Sequence, residues 1–359
     1  MNSLHTIVFF NSNKAWGGGE KWHLETALWL MNRGYTIHVA AHPEGVLFKQ
    51  CQQQGIPVSP VKISKLSFLN PFEIRRLKRM LIHLQADTII LNLPSDMKAG
   101  GLAARQAKLS RIFYRRGTAL AVNPHPINRY FFSKVIDAVI ANSEQTKHLI
   151  NKKGDLIDKD KIHVVYNGVP DVKKSPKPKA DSPRFIIGNA GRFVTQKGQD
   201  LLIPLARSLS DAITDFEIHL AGDGPQRNTL KAKIKKAKLE DHIKMSGFIK
   251  DISTFYSGLH VFVLPSRWEG FGYVLAEAML HEIPVIAFDV SSNPEIITDG
   301  ETGFLIPFGD LEKMKERILY LYHEAEARQT MGKQAREDIL TRFAPDSSYK
   351  QLEKLINRG

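Results

Sequence analysis

The chain has 359 residues, 43% of them hydrophobic and 24% charged, with a formal net charge of +13. That length suits two domains of ordinary size, and no apolar run approaches the ~20 residues of a membrane-spanning helix, which excludes a helical integral membrane protein. Cys51 is the only cysteine, which excludes an internal disulfide and a cysteine metal cluster. The start, MNSLHTIVFFNSN, carries neither a basic leader nor a long apolar stretch, so no secretory signal is expected and the cytoplasm is the expected compartment.

HTIVFFN (5–11) predicts a buried strand, GGEKWHLETALWLMNRG (18–34) a helix ended by Gly34, and TIHVAAH (36–42) a second strand. PFEIRRLKRMLIHLQ (71–85) predicts a helix and DTIILNL (87–93) a strand, with further strands in SRIFYRR (110–116), AVIANS (138–143) and IHVVYNGV (162–169). The stretch PDVKKSPKPKADSP (170–183) is rich in Pro and Lys, has little to bury and reads as a linker. Then the alternation resumes. Strands are expected at 185–191, 217–222, 243–247, 260–265, 284–288 and 302–308, with helices near 199–210, 225–238, 251–257 and 272–281 and in the tail. Strands separated by helices imply parallel βαβ units. The expected fold class is therefore α/β, with two tandem Rossmann-like, doubly wound domains facing a cleft. The expected division is a domain over 1–172, a linker over 173–183, a second domain over 184–343 and a final helix over 344–359.

The charge is uneven. Residues 1–180 hold 27 Lys and Arg against 12 Asp and Glu, a net of +15; the remainder has 23 against 25, a net of −2. A basic half-protein attracts acidic lipid, phosphorylated ligands or nucleic acid, unless the charge is simply a solvated face.

Ligands of parallel sheets bind beyond the carboxyl ends of strands, and the motifs fall there. WGGGEKW (16–22) joins the first strand to the first helix. Its glycines permit close approach of a phosphate or sugar, but the pattern is not GxGxxG and does not predict a dinucleotide. In GNAGRFVTQKGQDLL (188–202), Arg192 and Lys197 stand five residues apart on a strand-end loop, placed to meet one diphosphate or to be ordinary surface cations. Lys197 is followed by Gly198, which is not a P-loop pattern. HLAGDGPQRNTL (219–230), with Gly222, lines a site or merely turns the chain. In SGFIKDISTFY (246–256), Phe248 and Ile249 suit a flat base, or the core.

RWEGFGYVLAEAM (267–279) sets Glu269 in a loop and Glu277 in a helix, among Phe271, Val274, Leu275, Ala276 and Met279. A carboxylate accepts hydrogen bonds from a pair of vicinal hydroxyls. Glu277 suits a ribose diol and Glu269 a sugar, while the amides of Gly270, Phe271 and Gly272 suit a phosphate. Without such a partner a buried carboxylate costs roughly several kcal/mol. The alternative is an ion pair with a neighbouring Arg such as Arg267.

EGFGYVLAEAM, followed by PVIAFDVSSNPEIITDGETGFLIP, resembles the donor domain of retaining, nucleotide-sugar-dependent glycosyltransferases of the group 1 / family 4 type with the GT-B fold. Glu269 and Glu277 match that family's E-x7-E motif, GRFVTQKG its Arg/Lys loop, AGDGP its following turn, ANSEQTK and NGV its interdomain region, and GGGE its first glycine loop. The resemblance covers nearly the whole chain and is most specific in the C-terminal half. It implies an acceptor-binding N-terminal domain, a nucleotide-sugar donor domain, and a last helix crossing back to the first. It implies that Arg192 and Lys197 neutralise the departing diphosphate in place of a metal, so that no cofactor or metal is needed. Glu277 would hold the ribose, and Glu269 with the amides near Phe271 the donor sugar, with Gly222, Phe248, Ile249 and Val274 lining the donor site. Gly18 and Gly19 would close over the phosphates. Many members place a histidine at an N-terminal strand end; here that region reads RIFYRRGTALAVNPHPINRY, so either Arg116 takes its role or His125 swings in.

The expected function is retaining, metal-independent transfer of a hexose-like sugar to a polysaccharide, lipopolysaccharide or lipid-linked acceptor of the bacterial cell envelope. The basic half would touch the anionic cytoplasmic face of the inner membrane. A same-fold epimerase or phosphorylase is an alternative, although no cofactor lysine of a phosphorylase is identifiable. A nucleic-acid binder is disfavoured, because aromatics do not interleave with the basic clusters and the two glutamates would be left without a role.

Overall fold

The structure, a computed structural model, describes residues 5–172, 184–249 and 251–357. The stretch expected as a linker, 173–183, lies outside the described residues. The chain divides into two units: residues up to Gly168 together with the segment from Asp346, and Val169–Pro345.

The N-terminal unit carries seven strands: β1 (Thr6–Asn11), β2 (Thr36–Ala41), β3 (Val58–Pro60), β4 (Thr88–Leu91), β5 (Arg111–Arg116), β6 (Ala138–Ala141) and β7 (Ile162–Val164). They pair in parallel in the order β3-β2-β1-β4-β5-β6-β7. Successive residues enter opposite layers, as period-2 alternation requires. Val8, Phe10, Ile89, Leu91, Ile112 and Tyr114 build one core; Ile7, Phe9, Ile90, Phe113 and Ile140 build the other. The final helix, Pro345–Asn357, adds Tyr349, Leu352 and Ile356 to the second core. Each buried side chain contributes about 2 kcal/mol. Trp29 Nε1 donates to Asp346 Oδ1 at 2.9 Å, and Arg33 pairs with Glu353 at 3.1 Å.

The C-terminal unit holds β8 (Phe185–Ala190), β9 (Phe216–Ala221), β10 (Ile243–Gly247), β11 (Val261–Leu264), β12 (Val285–Phe288) and β13 (Gly303–Ile306). Their order, β10-β9-β8-β11-β12-β13, is again parallel throughout. In each unit the strand order reverses once, between β1 and β4 and between β8 and β11. Such a switch point opens a crevice at the strands' carboxyl ends, where ligands of this architecture bind.

Some elements carry no clear pattern in the sequence, among them β3 and the helices Val46–Gln53 and Pro94–Gln106. The last contains Gly100 and Gly101, poor helix formers. The packing explains them: a Cβ at Gly100 would stand 2.6 Å from Leu91 Cδ2, and one at Gly101 2.9 Å from Val135 Cγ1. The glycines let the helix lie close on the sheet.

Candidate functional site

In the C-terminal unit the two loops at the β8/β11 switch point are stitched together. After β8 the chain makes a 3-10 turn, Thr195–Lys197, closed by Gly198 at φ 68°. A Cβ on Gly198 would lie 2.0 Å from the Pro265 carbonyl oxygen, so only glycine allows the loops to approach this closely. The Arg267 amide donates to the Gln196 carbonyl at 2.8 Å, and Gln196 Nε2 returns a bond to the Trp268 carbonyl at 3.0 Å. Arg267 forks onto Asp200, both contacts at 3.0 Å, and holds that carboxyl below the usual range.

Arg267 being engaged there, Glu269 has a different partner. Its side chain is 5% exposed and its Oε1 accepts from Lys197 Nζ at 2.7 Å and from Ser266 Oγ at 2.6 Å. Ser292 Oγ donates to the Glu269 carbonyl at 3.3 Å. Arg192, two residues beyond β8 in the loop that carries Lys197, is exposed, and its guanidinium has no hydrogen-bond or ion-pair partner among the described residues. Gly222, after β9, meets the turn at Gly191 so tightly that a Cβ would stand 1.9 Å from the Gly191 carbonyl oxygen.

Glu277 sits in the helix Tyr273–Leu280, which Gly272 opens at φ 76°. Its Oε2 accepts from the hydroxyl of Tyr256 at 3.2 Å, and the same hydroxyl lies 3.3 Å from the Val274 carbonyl oxygen. Tyr256 is fully buried. Burial first, and then the Glu277 charge, pushes its phenol well above the usual range, so it stays a donor. The helix start leaves N–H groups without intrahelical acceptors at Gly270–Gly272 and beyond. Phe271 is 3% exposed and packs edge-on against Tyr273 and Phe343. Phe248 is 74% exposed just past β10, so core packing does not account for it; Ile249 is half-buried.

Tyr256 and Ser266 were not legible as site residues, since a lone Tyr or Ser after apolar residues carries no pattern; the positions that orient the two glutamates emerge only from the fold. Tyr256→Phe keeps the ring and removes the donor to Glu277. The expected outcome is an unfolding free energy lower by about 1 kcal/mol in urea titration.

In the N-terminal unit the β1/β4 switch point is polar. Gly18 and Gly19 are the first residues of the helix Gly18–Met31, and a Cβ on Gly19 would meet Asn92 Nδ2 at 2.9 Å. Glu20 is buried and accepts from Asn11 Nδ2 and Asn13 Nδ2, both at 3.0 Å. Arg115, the penultimate residue of β5, is 2% exposed, with its guanidinium 4.7 Å over the Trp22 ring; it donates to Asn167 Oδ1 at 3.0 Å and Asn92 Oδ1 at 3.3 Å. Arg116 points to the other layer, where it donates to the Leu120 carbonyl and lies 3.5 Å from the Tyr114 hydroxyl. His125 is exposed; its Nδ1 accepts from the Asn128 amide at 3.3 Å and caps the helix Pro126–Tyr130. Of the two residues considered for the histidine's role, one is engaged in the core and the other caps a surface helix. The neighbour, Arg115, stands among the switch-point residues. Period 2 along β5 separates them: Arg115 follows Phe113, and Arg116 follows Tyr114.

Among the described residues no group of three or more His, Cys, Asp or Glu side chains is placed to hold a metal ion, and no helix is long and apolar enough to cross a membrane.

Residues 171–338 match the model of "Glycosyl transferases group 1", and residues 16–173 that of "Glycosyltransferase Family 4". The chain is 27% identical to EpsD of Bacillus subtilis over 369 residues, covering 93% of this chain and 92% of that one. It is 34% identical over 196 residues to the lipopolysaccharide core biosynthesis mannosyltransferase LpsB of Rhizobium meliloti, covering 51% and 55%. Its fold matches that of Anabaena HepE, solved in complex with UDP-glucose, with a TM-score of 0.86 at 23% identity over 98% of this chain and 99% of that one. With the two models tiling residues 16–338 and both units carrying the parallel sheets of the GT-B fold, the chain belongs to the group 1 / family 4 glycosyltransferases.

Proposed function

We propose that the protein transfers a sugar from a nucleotide-diphosphate sugar to a polysaccharide, lipopolysaccharide or lipid-linked acceptor, with retention of the anomeric configuration and without a metal. The observation that carries this reading is the pairing of Lys197 with Glu269 at the β8/β11 switch point, with Arg192 exposed on the same loop. Two cations at one strand end suit a leaving diphosphate. The pair is 2.7 Å long, so Lys197 is held in place by the residue assigned to the sugar. As the bond from the anomeric carbon to the phosphate oxygen breaks, negative charge grows on that oxygen, and preorganised cations stabilise it. The acceptor oxygen bonds to the anomeric carbon on the same face, and the departing phosphate takes its proton. Glu277, oriented by Tyr256, holds the ribose. The UDP-glucose complex of HepE and the lipopolysaccharide role of LpsB support this donor and acceptor class. The net positive charge of residues 1–180 suits an acceptor at an anionic surface, which is the cytoplasmic face of the inner membrane in this reading, and no nucleic acid enters it.

Thermal shift against UDP-, GDP-, ADP- and CMP-sugars tests the reading. One donor at 100 times its Kd stabilises the protein by about 2.7 kcal/mol. Glu277→Ala abolishes the response while remaining folded by circular dichroism. Silence of the wild type towards every nucleotide sugar overturns the proposal. With the responding donor, the anomeric configuration of the product by NMR tests retention, and undiminished turnover in EDTA tests metal independence.

A further inference from the structure

The N-terminal unit exposes large apolar side chains that its two cores do not use. Leu66, Leu69 and Phe72 are 67%, 66% and 79% exposed. They crowd one turn, formed by the 3-10 segment Ser67–Leu69 and the start of the helix Pro71–His83, whose cap is Asn70. Phe68, between them, turns inward. Its ring meets Phe131 edge-on at 5.8 Å, and Phe131 meets Tyr130 at 5.5 Å. That chain of rings brings the half-exposed Tyr130 to the same region, and the half-exposed Ile127 precedes it on the short helix Pro126–Tyr130.

The helix is amphipathic in an unusual way. Ile74, Leu77 and Leu81 are buried, while Phe72, Arg75, Arg76, Arg79 and His83 face outward. Residues 62–83 hold six Lys and Arg against one acid, Glu73, which pairs with Arg76 at 2.6 Å. Lys65, Arg75, Lys78, Arg79 and Lys134 have no ion-pair partner among the described residues. Contiguous exposed apolar groups mark an interaction surface. An acidic soluble partner would account for the cations but not for protruding Leu and Phe. Apolar side chains ringed by unpaired cations complement a bilayer with anionic headgroups, where the former enter the acyl boundary and the latter meet phosphates.

We infer that the segment 64–83, with Ile127, Tyr130 and Lys134, docks the N-terminal unit on an anionic lipid bilayer. The inference builds on the proposed meeting with an acceptor at an anionic surface, but docking itself requires no sugar donor, so the two are separable by experiment. The test is co-sedimentation of the full chain with vesicles of phosphatidylcholine alone and of an equimolar phosphatidylcholine–phosphatidylglycerol mixture. The wild type sediments with the mixture, not with phosphatidylcholine, and is released by rising salt. Each cation contributes roughly 5-fold in affinity, so Arg75→Glu with Arg79→Glu loses at least about 25-fold. Leu69→Ser with Phe72→Ser keeps every charge and still loses about 10-fold or more, because apolar burial is removed.

A second measurement reports insertion directly. Cys51 is buried, so Phe72→Cys offers one accessible thiol for an environment-sensitive dye, whose emission shifts to the blue on anionic vesicles. The inference is overturned if the wild type stays in the supernatant, if the serine variant binds as the wild type does, or if the dye does not shift. Concentration-dependent self-association that Phe72→Ser removes, without vesicle binding, assigns the patch to a second copy of the chain instead and equally overturns it. Donor-induced thermal shifts are unchanged in all these variants. A wild type that binds vesicles but answers to no nucleotide sugar leaves the docking standing and removes the proposed function.

Discussion

Lys197→Met is expected to lower the transfer rate by about 10²–10³-fold, the usual cost of deleting one preorganised charge-stabilising group, with the loss in kcat rather than KM. In the proposed reaction Lys197 would meet the leaving group most strongly when its charge is fully developed, so the loss is expected in the rate constant. The substitution also harms the fold. Glu269 would keep only Ser266 Oγ on its Oε1, and a buried acid stripped of its counter-charge costs about 3 kcal/mol. A damaged fold would mimic a catalytic effect, so the companion variant is Lys197→Met with Glu269→Gln. The amide removes the stranded charge and still accepts from Ser266. Urea unfolding of this double variant recovers most of the lost stability, while its turnover stays as low as that of the single variant or lower. Recovery of turnover along with stability would mean that the Lys197–Glu269 pair is only a structural brace between the loops after β8 and β11.

That pair shows where sequence reasoning stops. The two parallel sheets were legible because buried strands such as HTIVFFN and HVFVLP are short apolar runs bounded by helices, a pattern burial on both faces produces. The residues flanking each strand end were legible too, since Arg192, Lys197, Glu269 and Glu277 break that apolar pattern. Which of them touch was not. Arg267 neighbours Glu269 in sequence, yet it forks onto Asp200, and Glu269 takes Lys197 from 72 residues away. Pairing of that kind depends on strand order, because β8 and β11 become neighbours only through the topological switch. The same limit applies to β5, where both arginines stand at the strand end and only the assignment of faces separates Arg115 under the glycine loop from Arg116 in the opposite layer. Helix Pro94–Gln106 stayed illegible for another reason: its paired glycines lower its helical propensity and are there for close packing on the sheet.

The buried polar groups of the N-terminal unit lead to the second large expectation, an opposed pair of titrations. His23 is fully buried on the helix Gly18–Met31, its Nδ1 bonded to the Gly19 carbonyl at 2.8 Å and its ring also facing the Ile90 backbone. Burial, and then the Arg115 charge, lowers its pKa from 6.5 to about 3. Between those values the unfolded chain binds a proton that the folded one does not, so stability falls as pH drops from 6.5 towards 3. Asp96 caps the helix Pro94–Gln106 from within. It accepts from Ser12 Oγ at 2.5 Å, the Ser12 amide at 3.2 Å and the Leu93 amide at 3.0 Å, yet burial raises its pKa from 3.8 to about 7. There the folded state holds the extra proton, so stability falls as pH rises from 3.8 towards 7. The two slopes have opposite signs over nearly the same window, and they largely cancel. Removing either group exposes the other. Measured from pH 7 down to 4.5, His23→Gln gains about 3 kcal/mol relative to the wild type, and Asp96→Asn loses about 3 kcal/mol relative to it over the same interval. Tryptophan fluorescence in urea reads this out, since Trp16, Trp22 and Trp29 lie in the N-terminal unit and only Trp268 in the other. Combining the two substitutions restores a pH profile parallel to that of the wild type; parallel profiles for all four proteins would mean that neither buried group changes its proton affinity on folding.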